Sequence, residues 1–370
     1  MGEWRECTLG DFVTLQRGHD LPAYRRVSGE VPIMGSFGVT GWHNEAKTNG
    51  PGVTVGRSGA SFGVVSYCSI DYWPLNTALY VKEFYGNDVR FAYYFLNSID
   101  FKRFNSGSAQ PSLNRNFIHP LPITIPPLPE QKAIASVLSS LDDKIDLLHR
   151  QNKTLEAMAE SLFRQWFVKE AQEDWEEQSL LEVIQLIGGG TPKTAIAEYW
   201  DGDISWLAGG DIASNHKSFI SYSAKSITEV GLNNSSAKLL PKYATVISAR
   251  GTVGKYCLLA KPMAFSQSNY GILPNISKCF FFTYLLVNHV VEELQSSAYG
   301  SVFDTITTTT FKEIKIPLPI ETEILRFEQS VSQYFKKMFL NKSQIRTLEK
   351  LRDTLLPKIM SGEVRVEYEN

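Results

Sequence analysis

Few residues of this chain are spaced for bond-breaking chemistry. Asp304, Glu313 and Lys315 mimic the D…E-x-K order of metal-dependent nucleases, where carboxylates hold a divalent cation and a lysine orients the attacking water. The pattern is short, and FKEIKIP (311–317) reads equally as a strand turning Glu313 and Lys315 to solvent. Gly188-Gly189-Gly190 could approach a phosphate, but it lacks G-x-G-x-x-G spacing, and no G-x-x-x-x-G-K-[ST] occurs anywhere. Its place after EVIQLI fits a turn better. No N-P-P-[YF] tetrapeptide of amino-methyltransferases occurs. The six histidines form neither H-x-x-x-H nor H-E-x-x-H, so a zinc site is not expected. Cys7, Cys68, Cys257 and Cys279 stand far apart, which argues against a zinc ribbon or disulfide scaffold and fits a reducing cytoplasm.

Binding chemistry is better represented. Arg57 and Arg250 sit in glycine-flanked turns, where backbone can approach a phosphate closely and a guanidinium can grip phosphate or a guanine edge with two bonds. The competing reading is an arginine paired with an internal carboxylate. Lys255 follows Gly254 and could neutralise a phosphate, and Arg25, Arg26, Lys102, Arg103 and Arg115 supply further cations. Two polar segments stand at equivalent places: SGSAQPSLNRN (106–116), with Gln110 and Asn114, and TITTTT (305–310), with Thr307 and Thr309. Gln and Asn can bond adenine bidentately, and Ser or Thr hydroxyls serve bases or phosphates. Turn and cap chemistry is the alternative for each residue. Asn76 and Gln267 also correspond between the two halves.

The elements that must position these residues come in duplicate. Trp4, Leu9 and Gly18 return as Trp175, Leu180 and Gly189. VTVGRSGASFGVVSYC (53–68) faces TVISARGTVGKYC (245–257), setting Arg57 against Arg250 and Tyr67-Cys68 against Tyr256-Cys257. Each copy is mostly short strands broken by glycine, with a helix at FAYYFLNSI (91–99) or FFFTYLLVNHVVEEL (280–294). The front of the first copy, PIMGSFGVTGWHNE (32–45), has no sequence counterpart; GGGTPKTAIAEYWDGDISWLAGGDI (188–212) stands in its place.

Each copy runs through an I-P-(P)-L-P signal into a long helix. Leu138, Leu141, Ile145, Leu148 and Leu155 in the first, and Tyr334, Met338, Ile345, Leu348 and Leu355 in the second, recur on the four-and-three steps of a coiled-coil seam. Asn152 and Asn341 interrupt the seams and could fix register, and Arg352 is an odd member. At 1.5 Å per residue the first rod is about 60 Å long, and the two are expected to pair antiparallel. Phe163, Phe167, Phe335 and Phe339 exceed what one seam buries, so they serve either as a docking surface for a partner or as packing against the arms. Gly362 ends the second helix as a C′ glycine would. The expected fold is α+β, with two mixed α/β arms at 1–127 and 171–319. Long helices occupy 128–170 and 320–363, and a tail occupies 364–370.

The 370 residues are 43% hydrophobic and 21% charged, as in ordinary globular protein. No stretch approaches the roughly 20 apolar residues of a membrane span, and the N-terminus lacks a signal-peptide core. Net charge is −2, with the first arm at +1 and the second at −3. A nucleic-acid binder is usually basic, so such a role needs local patches or a partner that shares the charge. Two related but unequal readers suit a split, asymmetric target such as DNA half-sites set helical turns apart.

GGGTPKTAIAEYWDGDISWL, then ISARGTVGKYC, then IPLP with a long helix ending in SGEV, resembles the DNA-specificity subunit of type I restriction–modification systems over nearly the whole chain. The first arm departs from the pattern, with RGHDLP (17–22) where GGGTPK would stand and RSGASFG where RGTVG would stand. That departure implies a recognition domain of another subtype. Arg17, Ser58, Thr191 and Lys193 are further candidate DNA contacts. The resemblance implies that each arm reads half of a split sequence on double-stranded DNA and that the helices set the gap. It further implies that two methyltransferase subunits dock on the helices and methylate adenine N6 with S-adenosylmethionine, and that restriction subunits driven by ATP, with Mg, complete the nuclease. The chain itself would bind no cofactor and catalyse nothing. A nuclease using Asp304, Glu313 and Lys315, or a coiled-coil scaffold that does not read DNA, stands as the alternative.

Overall fold

Short runs of β-branched and aromatic residues broken by glycine fold as strands, and the heptad runs fold as long helices. In a computed structural model, which describes residues 2–106, 111–299 and 305–367, they form two units, Met1–Asp146 with Arg346–Asn370, and Leu147–Ile345. The first unit contains β1 (Arg5–Thr8), α1 (Leu9–Phe12), β2 (Thr14–Arg17), β3 (Val31–Gly35), β4 (Gly38–His43), β5 (Gly52–Gly56), β6 (Val65–Cys68), β7 (Trp73–Pro74), β8 (Ala78–Glu83), α2 (Val89–Asn97), α3 (Arg115–Ile118), β9 (Pro122–Ile125) and the start of α4 (Leu128–Arg164). Its sheets run β2-β8-β5-β6, β4-β3-β7 and β1-β9.

The second unit takes up the rest of α4. There follow β10 (Glu176–Ser179), α5 (Leu180–Val183), β11 (Ile184–Gly188), β12 (Trp200–Leu207), α6 (Gly209–Ser214), β13 (Phe219–Ile220), β14 (Lys225–Ile227), α7 (Glu229–Asn233), β15 (Leu239–Leu240), β16 (Thr245–Ser248), β17 (Tyr256–Leu259), β18 (Met263–Phe265), β19 (Asn269–Pro274), α8 (Phe280–Tyr299), α9 (Thr308–Glu313), β20 (Lys315–Leu318) and the start of α10 (Glu321–Met360), whose end from Arg346 belongs to the first unit. Its sheets run β11-β19-β16-β17-β13, β14-β12-β18-β15 and β10-β20. This is the mixed α/β architecture with long helices that the sequence leads one to expect.

The same construction appears in each unit. Thr8 caps α1 in a capping box with Asp11, and Ser179 caps α5 in one with Glu182, each satisfying helix N–H groups that have no partner in the helix. Leu9 N–H donates to the Leu121 carbonyl, and Leu180 N–H to that of Ile314. A Cβ on Gly18 would stand 2.3 Å from the Leu75 carbonyl oxygen, and one on Gly189 would stand 2.1 Å from that of Ser266. Glycine is needed at both because two backbones cross there.

The ladders correct the repeat alignment. Gly56 pairs with Ala78 and Ser248 with Asn269, so Arg57 corresponds to Ala249, and Ser58 to Arg250. Likewise Val55 pairs with Val65 and Ile247 with Tyr256, so Tyr256-Cys257 answers to Val65-Ser66 and not to Tyr67-Cys68. Another correction concerns FKEIKIP, where Glu313 ends α9 and the strand begins only at Lys315. The N-cap of α9, Thr307, satisfies the first turn, so helix wins over strand there.

Within each unit the long helices run antiparallel. In the second, Asn341 Nδ2 donates to Asn152 Oδ1 at 2.9 Å and to Gln151 Oε1 at 3.1 Å, and Phe327 packs on Phe163 and Phe167 further along. In the first, the odd seam member Arg352 donates to Asp142 Oδ1 at 2.9 Å, and Tyr94 donates to Asp142 Oδ2 at 2.6 Å. Leu138 joins the core that Leu355 packs against; Ile145, Leu148, Met338 and Ile345 are buried, while Leu141, Leu155, Tyr334 and Leu348 are half-buried. Phe163, Phe167 and Phe335 are buried in the core of the second unit and Phe339 packs against it, which decides for arm packing over partner docking.

Two carboxylates in the second unit, one buried and one half-buried, make its stability depend on pH. Glu328 on α10 accepts from the N–H groups of Phe281 and Phe282, at 3.3 and 2.7 Å. Burial pushes its pKa up to about 7, against the pull of those bonds. Burial, then the neighbouring Glu160, raises Glu156 to about 7 as well. A folded-state pKa above the unfolded value means that the folded protein holds the proton longer. This stability is present below pH ~4.5 and is lost as pH rises through ~7, by about 3 kcal/mol for Glu328. Urea titrations from pH 5 to 8 should show the second unit weakening as pH rises, with Glu328→Gln flattening the curve. An equal slope in both proteins rules Glu328 out as its source.

Candidate nucleic-acid interface

Three chain segments meet at one place in each unit, held by backbone hydrogen bonds. In the first unit, Arg57 N–H donates to the Thr77 carbonyl at 2.9 Å, and Leu113 N–H to the Arg57 carbonyl at 2.8 Å. In the second, Ala249 N–H donates to the Ser268 carbonyl at 2.9 Å, and Ile306 N–H to the Ala249 carbonyl at 3.1 Å. The first junction gathers Asn76, Arg57, Ser58 and Asn114 around it; the second gathers Gln267, Arg250 and Thr307. Residues far apart in sequence thus form one polar surface, because a strand end, a hairpin end and a helix cap share backbone partners.

The side chains differ in how free they are. Asn76 Nδ2 is tied to the Asp20 carboxylate, and Arg17 stands 3.6 Å from the same carboxylate. Arg57 and Ser58 are half-buried, whereas Arg250 and Gln267 are exposed. Gly251, with φ +76°, allows the tight turn that presents Arg250. Asn114 Oδ1 accepts from Asn116 N–H at the start of α3, and Thr307 Oγ1 accepts from Thr310 N–H at the start of α9. The two polar segments therefore end in matched helix caps, with Arg115 and Thr309 exposed on the helices that follow. Gln110 and Asp304 lie outside the described residues.

Other candidates lie apart from these junctions or beside them. Arg25 ends a short turn next to Tyr24, its guanidinium 5.7 Å from that ring. Arg115 Nη1 reaches the Leu15 carbonyl at 3.4 Å. Thr191 follows the Gly189 crossing and is half-buried, while exposed Lys193 accepts the Trp200 indole N–H on its carbonyl at 3.3 Å. Gly190 is wedged against Ser236 backbone, so the triple glycine forms a backbone crossing and not a phosphate cradle. Lys255 sits at the β17 end of its hairpin and lines a cavity of about 460 Å³ with Glu160, Arg164, His216 and Lys217. Glu160 there bonds Lys217 Nζ at 3.3 Å and Asn288 Nδ2 at 3.0 Å.

Ser112, which lies in the polar 106–116 segment and bridges to Ser58, and Ser268, which no sequence pattern marks, belong to the junctions. Only the strand pairing reveals the latter. Among the described residues, no group of three or more His, Cys, Asp or Glu is placed to hold a metal ion, and no helix is long and apolar enough to cross a membrane.

A family model described as type I restriction modification DNA specificity domain matches residues 1–157 and 172–350. Among curated relatives, the type I restriction enzyme MjaIX specificity subunit of Methanocaldococcus jannaschii is 29% identical over 52% of this chain and 45% of its own length. The HindI specificity subunit of Haemophilus influenzae is 24% identical over 69% of this chain and 71% of its own. The chain thus spans less than half the length of the first of these relatives. Among solved structures, the S subunit of a type I restriction–modification system from M. genitalium superposes with a TM-score of 0.68 at 17% identity, covering 96% of this chain and 95% of that one. That likeness is one of fold.

Proposed function

The chain belongs to the type I restriction–modification DNA specificity family, and from that premise we propose that it is the address-reading subunit of a methyltransferase and restriction complex. Each arm, 1–127 and 171–319, reads one half of an asymmetric split site on double-stranded DNA. The long helices set the gap between half-sites and receive two methyltransferase subunits; restriction subunits join the cytoplasmic complex. S-adenosylmethionine, ATP and Mg serve those partners, and this chain contributes recognition without catalysis. The observation that carries the reading is the family match over both arms, each of which builds the same three-segment polar junction. Nothing favours the nuclease alternative.

At the junctions, the roles follow from donor sets. Gln267 and Asn76 have the amide pair that reads adenine, and Arg57 and Arg250 the fork that reads guanine or clamps phosphate. Ser58, Thr191, Thr307 and Thr309 supply hydroxyls, while Arg17, Arg25, Lys193, Arg115 and Lys255 supply charge along the backbone. Gln110 and Asn114 serve the first half-site.

The test is methylome sequencing of cells that express this chain with a type I methyltransferase subunit. A new N6-methyladenine mark at two short motifs with a fixed gap is expected; an assembled, active complex that leaves no such mark refutes the reading. Arg250→Ala in that complex should weaken DNA binding and lower the slope of log K against log salt by about 1. An unchanged slope removes Arg250 from the phosphate contacts.

A further inference from the structure

The first unit builds a hairpin with exposed aromatic side chains that has no counterpart in the second. β3 and β4 form a tight hairpin, and Gly38 at φ +102° lets the chain reverse so that Phe37 stands at the tip. Phe37 is 62% exposed, Trp42 on β4 is 55% exposed, and Tyr24 is 82% exposed. A large aromatic ring left in water at a hairpin tip is suited to contact a partner. In the second unit β12 takes the place of β3, since each pairs in parallel with the matching strand, β18 or β7. There β12 runs into α6, and no hairpin tip is presented.

The hairpin borders the first junction. Ser36, next to Phe37, has its carbonyl oxygen only 2.3 Å from where a Cβ on Gly56 would stand, and Gly56 precedes Arg57. At the other end, Val27 N–H donates to His43 Nδ1 at 3.1 Å. The Arg26 guanidinium reaches along β4 to within 3.4 Å of a Cβ position on Gly41. The hairpin that carries Phe37 thus runs between the segment of Arg57, which follows Gly56 beside Ser36, and the Arg26 guanidinium beside Gly41. Apolar rings set between guanidinium groups suit a polyanion whose interior is a stack of flat bases. The cations hold phosphates, while a ring slips against or between bases. A protein partner would not need the flanking arginines.

We propose that Phe37 is a wedge that stacks on the bases of duplex DNA at the half-site of the first unit, with Trp42 supporting it along the hairpin. The inference rests on the reading of the chain as a DNA-specificity subunit. It also accounts for why the two arms differ at this place: one reads with an inserted ring and the other with polar contacts alone.

The experiment uses the chain assembled with its methyltransferase subunits and a duplex carrying the motif defined by the methylome. Phe37→Ala should reduce affinity at least tenfold with an unchanged salt slope, because a stacking contact releases no counterion. Phe37→Trp should keep most of the affinity, and the melting temperature of both variants should match the parent, since Phe37 is largely exposed. Affinity of Phe37→Ala within twofold of the parent overturns the proposal. Loss of assembly with the methyltransferase subunit also overturns it, by making the hairpin a protein-docking face. Absence of any split mark with the unaltered chain strikes the functional reading itself, whereas a normal mark with an unaffected Phe37→Ala strikes only the wedge.

Discussion

Replacing Arg365 with alanine is expected to cost the first unit about 3 kcal/mol of stability. Glu130, near the start of α4, is fully buried. Its carboxylate accepts Arg365 Nε at 2.5 Å on one oxygen and Nη2 at 2.7 Å on the other. The guanidinium also donates to the Gly2 carbonyl at 2.8 Å and lies 5.4 Å from the Trp4 ring centre. One side chain thus joins the N-terminal segment, the head of α4 and the segment after α10. Truncating it strands a buried negative charge near a helix N-terminus, and an uncompensated buried charge costs far more than a lost surface ion pair. Glu130→Gln combined with Arg365→Met should recover most of the loss. Urea unfolding with hydrogen exchange at first-unit amides reads both variants. A first unit as stable in Arg365→Ala as in the parent would show that the pair does not hold these segments together.

Such a tie explains which parts of the fold were legible in the sequence. The repeat was visible where structure demands one residue type. Gly18 and Gly189 permit a backbone crossing, and the capping pairs Thr8–Asp11 and Ser179–Glu182 close the same short helix. It was misread where matching letters are accidental. Arg57 and Arg250 look equivalent, yet the ladders set Arg57 against Ala249 and Ser58 against Arg250. The heptads announced two rods, and Asn152 and Asn341 do meet. The Asp142–Arg352 and Glu130–Arg365 pairs stayed hidden, because a charge that pairs 210 or 235 residues away leaves no local pattern. Ser268 and the exposed Phe37 leave no signal for a related reason: each matters through what tertiary pairing puts beside it.

Phe163 shows how the remaining ambiguity resolves and yields the second large effect. Heptad counting alone leaves its ring outside the seam, equally fit to receive a partner. In the structure it is 3% exposed. Its ring centre stands 4.9 Å from that of Phe167, 5.8 Å from Phe327 on α10 and 6.0 Å from Phe282 on α8. The ring therefore holds both long helices and α8 to one core. Phe163→Ala should destabilise the second unit by about 3–5 kcal/mol, from lost transfer free energy and a cavity that stiff aromatic neighbours cannot fill. The loss must appear in the chain alone, without any partner, as a lower urea midpoint and faster exchange at α8 amides. First-unit amides should exchange at the parent's rate. A ring that served partner docking would behave in the opposite way, with the isolated chain unaffected and assembly with the methyltransferase subunit weakened. Phe163→Leu separates size from aromaticity. If filling volume is what counts, it recovers most of the stability, and if the edge-to-face contact with Phe327 matters as well, about 1 kcal/mol stays lost.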